Sequence, residues 1–267
     1  MAARPSALTE KVTADLRALL AAEPDAGRLA QALRHLAKWR AALIEATLRE
    51  RSGERVLAGP FAGMDYGGAS EGAGAARLLG VYEPALHPVI EAIIARAPDL
   101  ILDLGAAEGY YAVGLALRLP GARVLAFDSD RVARARCRAM AERNGVADRV
   151  AVMGTATRAD FDRCAGHRAL VLCDIEGAEE TLLDPAEAPA LASADILVEA
   201  HDCFVPGLSQ RLADRFASTH RVTRLDRGAP DAPLPAWMNA LSDLDRLLAV
   251  WEWRMGPTPW LWMEARR

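Results

Sequence analysis

Apolar residues follow two different periods along most of the chain. From residue 84 onward, short apolar runs alternate with longer stretches in which apolar residues recur every three or four positions. The short runs are typical of strands buried on both faces, and the longer pattern is typical of helices. Their alternation predicts an α/β fold, namely a Rossmann-like, doubly wound, mostly parallel sheet with right-handed crossovers. The predicted helices cover residues 84–97, 110–119, 130–144 and 207–217, with one more starting at 176, and the predicted strands cover 100–104, 123–127, 149–153, 169–173, 195–199 and 220–225.

Residues 1–54 form a separate helical pattern before this alternation. Helices are predicted over 7–22 and 26–51, the second behind Asp25, a residue type that caps helix N-termini. We interpret this part as a helical extension that packs on the main domain, caps a substrate or forms a homodimer. Apolar residues at helical spacing mark the second helix, and they are Leu29, Leu33, Leu36, Leu43 and Leu48.

The rest of the chain divides into a connector and a domain. Residues 55–81 contain seven glycines and little periodicity, which is typical of a connector or a mobile lid. Residues 82–267 are predicted to form the α/β domain, with an aromatic C-terminal tail that packs over the sheet edge or lines an acceptor pocket. Within it, residues 246–253 follow a short helix around Leu241 and are predicted to add an antiparallel edge strand.

Composition and charge exclude several classes of protein. The 267 residues include 32 basic and 36 acidic side chains, a formal charge of −4, and 52% are hydrophobic. These values exclude a disordered or collagen-like chain and disfavour a nucleic-acid binder. No stretch approaches the roughly 20 apolar residues that a membrane span needs, and no secretory signal is visible. Four scattered cysteines without a CxxC pair predict reduced, buried thiols, so we expect a cytoplasmic protein.

The ends of the first two predicted strands carry the first chemical signal. The first strand ends in the sequence DLGAAEG (residues 103–109), where Gly105 and Gly109 permit a tight turn close to a ligand. Asp128 ends the second strand about 20 residues later, where a carboxylate accepts the two hydroxyls of a ribose. The glycine spacing is not the GxGxxG of a dinucleotide pyrophosphate site. The pattern therefore favours a nucleoside without phosphates, which points to S-adenosylmethionine.

Three segments extend this signal into a family resemblance. LILDLGAAEGYYAVGLA, LVLCDIEGAEETLL and ILVEAH resemble the corresponding segments of class I S-adenosylmethionine-dependent methyltransferases, and more narrowly those of the FkbM-like family. The resemblance covers residues 82–225. It implies that Asp103, Gly105, Ala106, Glu108 and Gly109 surround the methionine part of the cofactor, that Asp128 and Ser129 bind the ribose, that Thr155 and Ala156 lie by the adenine, and that Asp174 lines the methyl-transfer side.

Candidates for a catalytic base lie at the ends of the fourth and fifth strands. They are His201, Asp174 and Glu199, and histidine has the suitable unperturbed pKa of about 6.5. Together with Asp202 these residues also form a possible cluster for a hard cation. The spacing departs from the paired Asp-Asn of similar small-molecule O-methyltransferases, so no metal ligand is assigned.

The leading hypothesis is an S-adenosylmethionine-dependent methyltransferase with a small-molecule acceptor, by resemblance a hydroxyl. One alternative is a nicotinamide-dependent oxidoreductase, because the fold and the second-strand acid are shared. Another is a non-catalytic partner subunit that keeps the fold and associates through its helical extension. A third is a methyltransferase that acts on protein or RNA, although the basic excess in residues 1–55 is too small to support strong phosphate binding.

Overall fold

Helices and strands alternate along the computed structural model, which describes residues 6–21, 23, 25–68, 72–228 and 234–266. The helices are α1 (Ala7–Leu20), α2 (Ala26–Ser52), α3 (Gly74–Leu79), α4 (His87–Arg96), α5 (Tyr110–Arg118), α6 (Arg131–Arg143), α7 (Glu179–Leu182), α8 (Leu208–Phe216) and α9 (Asp243–Ala249). The strands are β1 (Leu100–Leu104), β2 (Arg123–Phe127), β3 (Val150–Met153), β4 (Ala169–Cys173), β5 (Asp195–Glu199), β6 (His220–Leu225) and β7 (Trp260–Ala265). Short 3₁₀ helices cover Pro84–Leu86, Arg158–Cys164, Pro189–Ser193 and Ala236–Ala240.

The strands form one sheet with the order β3-β2-β1-β4-β5-β7-β6. Neighbouring strands are parallel except at β7, which runs antiparallel to both β5 and β6. All five residues of β1, β4 and β5 are buried, as their apolar runs predict. The predicted Rossmann-like, doubly wound sheet is confirmed. Its strand order reverses between β1 and β4, so a ligand site is expected beside the carboxyl ends of these two strands.

The antiparallel strand comes from a different segment than predicted. Residues 246–253 do not form it, because Ser242 caps α9 there by accepting the backbone N–H of Asp245, and two acids favour the first helical turn. Trp260–Ala265 forms the antiparallel strand instead, with Trp262 paired to Leu197 on one side and Thr223 on the other. The helix predicted from residue 176 is also shorter, since α7 spans only Glu179–Leu182.

Two units make up the chain. One comprises residues 1–53 and 233–251, and the other comprises residues 54–232 and 252–267 and contains the sheet. In the first unit, α2 buries mainly small side chains (Ala32, Ala37 and Ala41) together with Ile44 and Leu48. The leucine pattern of α2 is therefore only partly a core pattern. Of those leucines, Leu29, Leu33 and Leu36 are 62%, 67% and 45% exposed.

The glycine-rich segment 55–81 packs within the second unit. Val56, Phe61, Met64 and Tyr66 are buried, and the segment contains helix α3. The stretch Gly74–Arg96, which overlaps this segment, contains an 18-residue window with a mean hydropathy of 1.3, enough to be considered for a membrane span by length and composition. Half of this window is buried in the fold, and the chain there is divided between α3, a 3₁₀ turn and α4. Packing therefore accounts for part of its apolar character.

The cysteines behave largely as predicted. All four are free; Cys137, Cys164 and Cys173 are buried, and Cys203 is half-buried. Burial raises the pKa of Cys137 to about 12, so this thiol stays protonated at neutral pH.

Candidate active site

The loops that follow β1, β2 and β4 meet at the carboxyl edge of the sheet. The backbone N–H groups of Gly105 and Ala106 each donate to Phe127 O at 2.9 Å, and Asp174 N donates to Leu104 O at 2.9 Å. Gly105 has a φ of +83°, and a Cβ at this position would lie 1.7 Å from the backbone oxygen of Asp174. Only glycine permits this close approach, so the first loop is fixed against the fourth-strand loop.

Asp103 provides a buried negative charge under this turn. Its residue exposure is 1%, and neither carboxylate oxygen has a hydrogen-bond partner among the described residues. Burial first, and then the charges of Asp174 and Asp128, raise the pKa of Asp103 from 3.8 to about 7, although the nearby backbone N–H of Ala112, which makes no regular hydrogen bond to it, acts in the opposite direction. A buried acid without a donor is costly unless a ligand supplies one. The site therefore fits a cationic or hydrogen-bond-donating group.

Asp128, the residue predicted to bind a ribose, faces the same loop. Its Oδ2 accepts the Ala107 N–H at 2.9 Å, and its Oδ1 accepts the Asp130 N–H at 2.7 Å. Each oxygen keeps a second lone pair for a hydroxyl donor. Ser129 adjoins it, and its backbone oxygen accepts from Arg134 at 2.8 Å.

The residues predicted to lie by an adenine follow β3. The end of this strand is joined to the Asp128 loop through a hydrogen bond from Asp128 N to Met153 O at 3.5 Å. Thr155 is exposed, and Ala156 packs against the hydrophobic core. Both residues are at the same edge of the sheet as the other predicted cofactor residues, because β3 is parallel to β2.

Glu108 is an ion-pair partner that the sequence does not reveal. Its carboxylate is 1% exposed, and its Oε1 accepts Arg77 Nη1 at 2.5 Å and also the hydroxyl of Tyr66. Both partners belong to the glycine-rich segment, which the sequence predicts only to be a connector or a lid. Gly109 follows with a φ of +99° and lies against Cys137, where a Cβ would come within 2.9 Å of Sγ.

His201 is held by a carboxylate behind it. Its Nδ1 lies 2.7 Å from Glu179 Oε1, which also accepts the Gly177 N–H at 3.1 Å. The ring is further fixed by stacking on Phe204, with centroids 5.7 Å apart. This arrangement makes Nδ1 the donor and directs Nε2 toward Asp174 Oδ1 at 3.6 Å and Glu176 Oε2 at 3.4 Å. We call Asp174, Glu176, Glu179 and His201 the acid–histidine cluster.

The charges in this cluster favour protonation of the ring. Burial opposes the charge of His201, but the hydrogen bond to Glu179 and the neighbouring carboxylates raise its pKa above 6.5. Glu179 stays ionised, because its bonds to His201 and to backbone N–H groups outweigh burial and lower its pKa. Asp174 has a pKa raised to about 7 by burial and by Glu83. Although the Asp174 side chain is 30% exposed as a whole, its Oδ1 is buried. The cluster can therefore hold and pass a proton near neutral pH.

The same groups are also spaced as cation ligands. One ligand atom each from Asp174, Glu176 and His201 lie within 4.8 Å of one another. This set differs from the predicted cation cluster, since Glu176 takes part and neither Glu199 nor Asp202 does. Asp202 faces away and accepts the backbone N–H and the hydroxyl of Ser209 at 2.8 and 2.6 Å. Two carboxylates and an imidazole are a suitable donor set for a divalent cation.

Glu199, the third predicted base, is neutralised by an arginine from the tail. Arg254 pairs with Glu199 and Glu83, and its Nε donates to Glu252 at 3.0 Å. Glu199 also lies 4.0 Å from His201 Nε2. This pairing favours His201 and Asp174 over Glu199 as the base. Arg254 was missed in the sequence because nothing distinguishes it among thirty arginines.

Comparisons with known proteins gave matches only among solved structures. No family model and no curated protein matches the chain. The chain is similar to the O-methyltransferase from Bacillus cereus in complex with SAH, with 13% identity over 96% of this chain and 97% of that one and a TM-score of 0.45. It is also similar to TomG from Streptomyces achromogenes, an O-methyltransferase of tomaymycin synthesis in complex with SAM. The identity is 12% over 98% of this chain and 100% of that one, and the TM-score is 0.48. A third similar structure is the SAH-bound methyltransferase PaMTH1 from Podospora anserina, with 14% identity over 100% of both chains and a TM-score of 0.43. At these identities and TM-scores the similarity assigns no activity, and the function rests on the residues of this chain.

Proposed function

We propose that this chain is a methyltransferase that uses S-adenosylmethionine. The observation that carries the proposal is the buried carboxylate of Asp103, which has no hydrogen-bond partner among the described residues and lies under the Gly105 turn where the strand order reverses. A ligand with a cationic group and no phosphate fits this acid, whereas a pyrophosphate is repelled by it. The solved structures similar to the chain include methyltransferases with SAM or SAH bound, which agrees with the proposal.

The chain's own residues divide the binding task. Asp103 holds the ammonium of the methionine part, the Gly105 and Ala106 backbone allows close approach, and Asp128 holds the ribose hydroxyls. Thr155 and Ala156 flank the adenine. When bound, S-adenosylmethionine would supply a methyl group on a positively charged sulfur. A nucleophile attacks the methyl carbon in line with the sulfur, and SAH is the leaving group.

The acid–histidine cluster handles the proton of the acceptor. We infer that the acceptor is a small molecule with a hydroxyl group. A hydroxyl must lose its proton on methylation, and His201 provides a base that can take this proton near neutral pH. Nε2 takes the proton, and the carboxylates of Asp174 and Glu176 stabilise the imidazolium that forms. Glu179 fixes the tautomer through Nδ1.

Binding and turnover test the proposal separately. Isothermal titration of the purified protein with SAM and SAH is expected to give saturable binding, and titration with NADH followed by fluorescence is expected to give none. Lack of SAM and SAH binding, or tight NADH binding, would refute the proposal. Formation of SAH from SAM is then measured with a panel of hydroxyl acceptors, with amines and thiols as controls. Methylation of amines alone would refute the hydroxyl acceptor.

The narrower family and the assembly follow as proposals of their own. The segments at 100–116, 170–183 and 196–201 support an FkbM-like methyltransferase, which we propose to be cytoplasmic. The exposed leucines Leu29, Leu33 and Leu36 of α2 support a homodimer through the helical extension. Light scattering tests the dimer, and a monomeric mass at micromolar concentration would exclude it.

A further inference from the structure

Arg77 presents an unusual hydrogen-bonding pattern for a buried arginine. Its side chain is 12% exposed, and its Nη1 donates to Glu108 at 2.5 Å and to Gly72 O at 3.0 Å. The guanidinium lies over the ring of Tyr82, with Cζ 4.3 Å from the ring centroid. All of these contacts fix the side chain through one nitrogen and one face.

The opposite edge of the guanidinium makes no hydrogen bond to the part of the chain that the structure describes. Nε is buried and has no hydrogen bond among the described residues, and none is found there for Nη2. Nε and Nη2 form the edge that binds a carboxylate through two parallel hydrogen bonds. Since buried donors are normally satisfied, an open edge of this kind indicates a group that is supplied by a ligand.

Unpaired acceptors lie in the adjoining turn. Glu108 Oε2 and both oxygens of Asp103 are buried without a hydrogen-bond partner. Asp103 lies in β1, and Glu108 lies in the loop that follows it, next to Gly109, which packs against Cys137. The turn after β1 thus combines the unpaired donor edge of Arg77 with the unpaired carboxylate oxygens of Asp103 and Glu108. This is the complement of a zwitterion that carries a carboxylate and an ammonium.

We propose that Arg77 binds the α-carboxylate of the methionine part of S-adenosylmethionine. The inference rests on the proposed function, and it deepens that function by assigning the glycine-rich segment a role in cofactor binding. The sulfonium and ammonium of the cofactor suit an acid-rich site, and the carboxylate is the one group that needs a cation. Arg254 is unsuited to this role, because its Nε, Nη1 and Nη2 already donate to Glu252, Thr258 and Glu83.

The test compares two ligands that differ by one carboxylate. Isothermal titration is carried out with SAH and with its decarboxylated analogue, which keeps the thioether, the amine and the nucleoside. Wild-type protein is expected to bind SAH about 10- to 100-fold more tightly than the analogue, the range for two hydrogen bonds between charged groups. Arg77→Gln is expected to weaken SAH binding by a similar factor and to change the affinity for the analogue by less than about threefold.

Two further variants separate binding from folding. Arg77→Lys keeps the charge but cannot donate two parallel hydrogen bonds to a carboxylate, so it is expected to retain part of the preference for SAH over the decarboxylated analogue. The double variant Arg77→Gln/Glu108→Gln replaces both members of the buried ion pair, so neither charge remains without its partner. It is expected to fold and to lack the preference for SAH. Arg143→Gln is the matched control. Arg143 ties the same segment to α6 through Gly67 O and Asp65, and its loss is expected to leave both affinities unchanged.

The outcomes distinguish the inference from the proposed function. An equal loss of affinity for both ligands in Arg77→Gln, or no preference for SAH in the wild type, would overturn the role of Arg77 while the cofactor assignment stands. Failure of the wild type to bind either ligand would overturn the proposed function itself. A preference that is present in the wild type and Arg143→Gln, and lost in the Arg77 variants lacking the guanidinium, supports the inference.

Discussion

Substituting Asp103 by asparagine is expected to stabilise the free protein and to weaken its ligand binding. The carboxylate is buried, has no hydrogen-bond partner among the described residues and has a pKa raised from 3.8 to about 7. Because the folded state holds this proton more tightly than the unfolded state, stability falls as the pH rises between these two values. At about 1.4 kcal/mol for each pH unit, the change from 3.8 to about 7 corresponds to about 4 kcal/mol at pH 8. Asparagine resembles the protonated acid and avoids this loss.

The assay is urea denaturation of wild type and Asp103→Asn at several pH values. We expect the variant to be more stable by about 4 kcal/mol at pH 8, and the two proteins to converge near pH 4. The m-value is expected to stay the same, and the affinity for SAH to fall about 10- to 100-fold because the ammonium loses its counter-charge.

A suitable control is Asp128→Asn, since Asp128 already accepts two backbone N–H groups. Its loss is expected to bring no gain in stability at any pH. A variant at position 103 that is less stable than wild type at pH 8, or a difference that does not depend on pH, would refute the reasoning.

Four other changes probe the rest of the site. Arg254→Met leaves Glu83 and Glu199 buried without their cation, and urea denaturation is expected to show a loss of about 3–5 kcal/mol. His201→Gln is expected to lower kcat about 100- to 10,000-fold while the Kd for SAH stays within about threefold, and wild-type kcat should rise with pH around a midpoint above 6.5. Gly105→Ala forces a Cβ into a backbone oxygen of the neighbouring loop, so we expect a loss of about 2–4 kcal/mol in thermal denaturation. Dialysis against a chelator is expected to leave turnover unchanged.

Each of these predictions has a result that contradicts it. Arg211→Met removes an exposed pair with Glu180 and is expected to leave stability nearly unchanged, so an equally small effect of Arg254→Met would argue against a stabilising buried ion pair with Glu83 and Glu199. Loss of SAH binding in His201→Gln would assign this residue to the cofactor. Full stability of Gly105→Ala would contradict the close approach of the two loops. Loss of turnover on chelation that Mg²⁺ or Mn²⁺ restores would make the acid–histidine cluster a cation site.

The sheet could be predicted from the sequence because its strands are short apolar runs in a regular alternation. Leu100–Leu104 and Ala169–Cys173 were found at the bounds that the structure shows. The positions of Asp103 and Asp174 at one edge follow from this topology, since parallel strands end on the same side. β7 was missed because residues 246–253 and Trp260–Ala265 are both apolar and aromatic, and the cap at Ser242 decides between them.

The charges around the site could not be predicted in the same way. Arg77 and Glu108 are 31 positions apart, and Glu83 and Arg254 are 171 positions apart. Local spacing carries no information about such pairs. The Glu179 partner of His201 depends likewise on how the loop after β4 turns, at the positive φ of Glu176 and Gly177.

The position of β7 has a consequence for how the protein is made. β7 is synthesised after the other six strands but lies between β5 and β6. Until residues 260–265 leave the ribosome, β5 has an unpaired edge of strongly apolar residues and β6 has no neighbour in the sheet. Exposed edges of this kind promote pairing between chains. A chain that stops before residue 260 is therefore expected to be prone to aggregation.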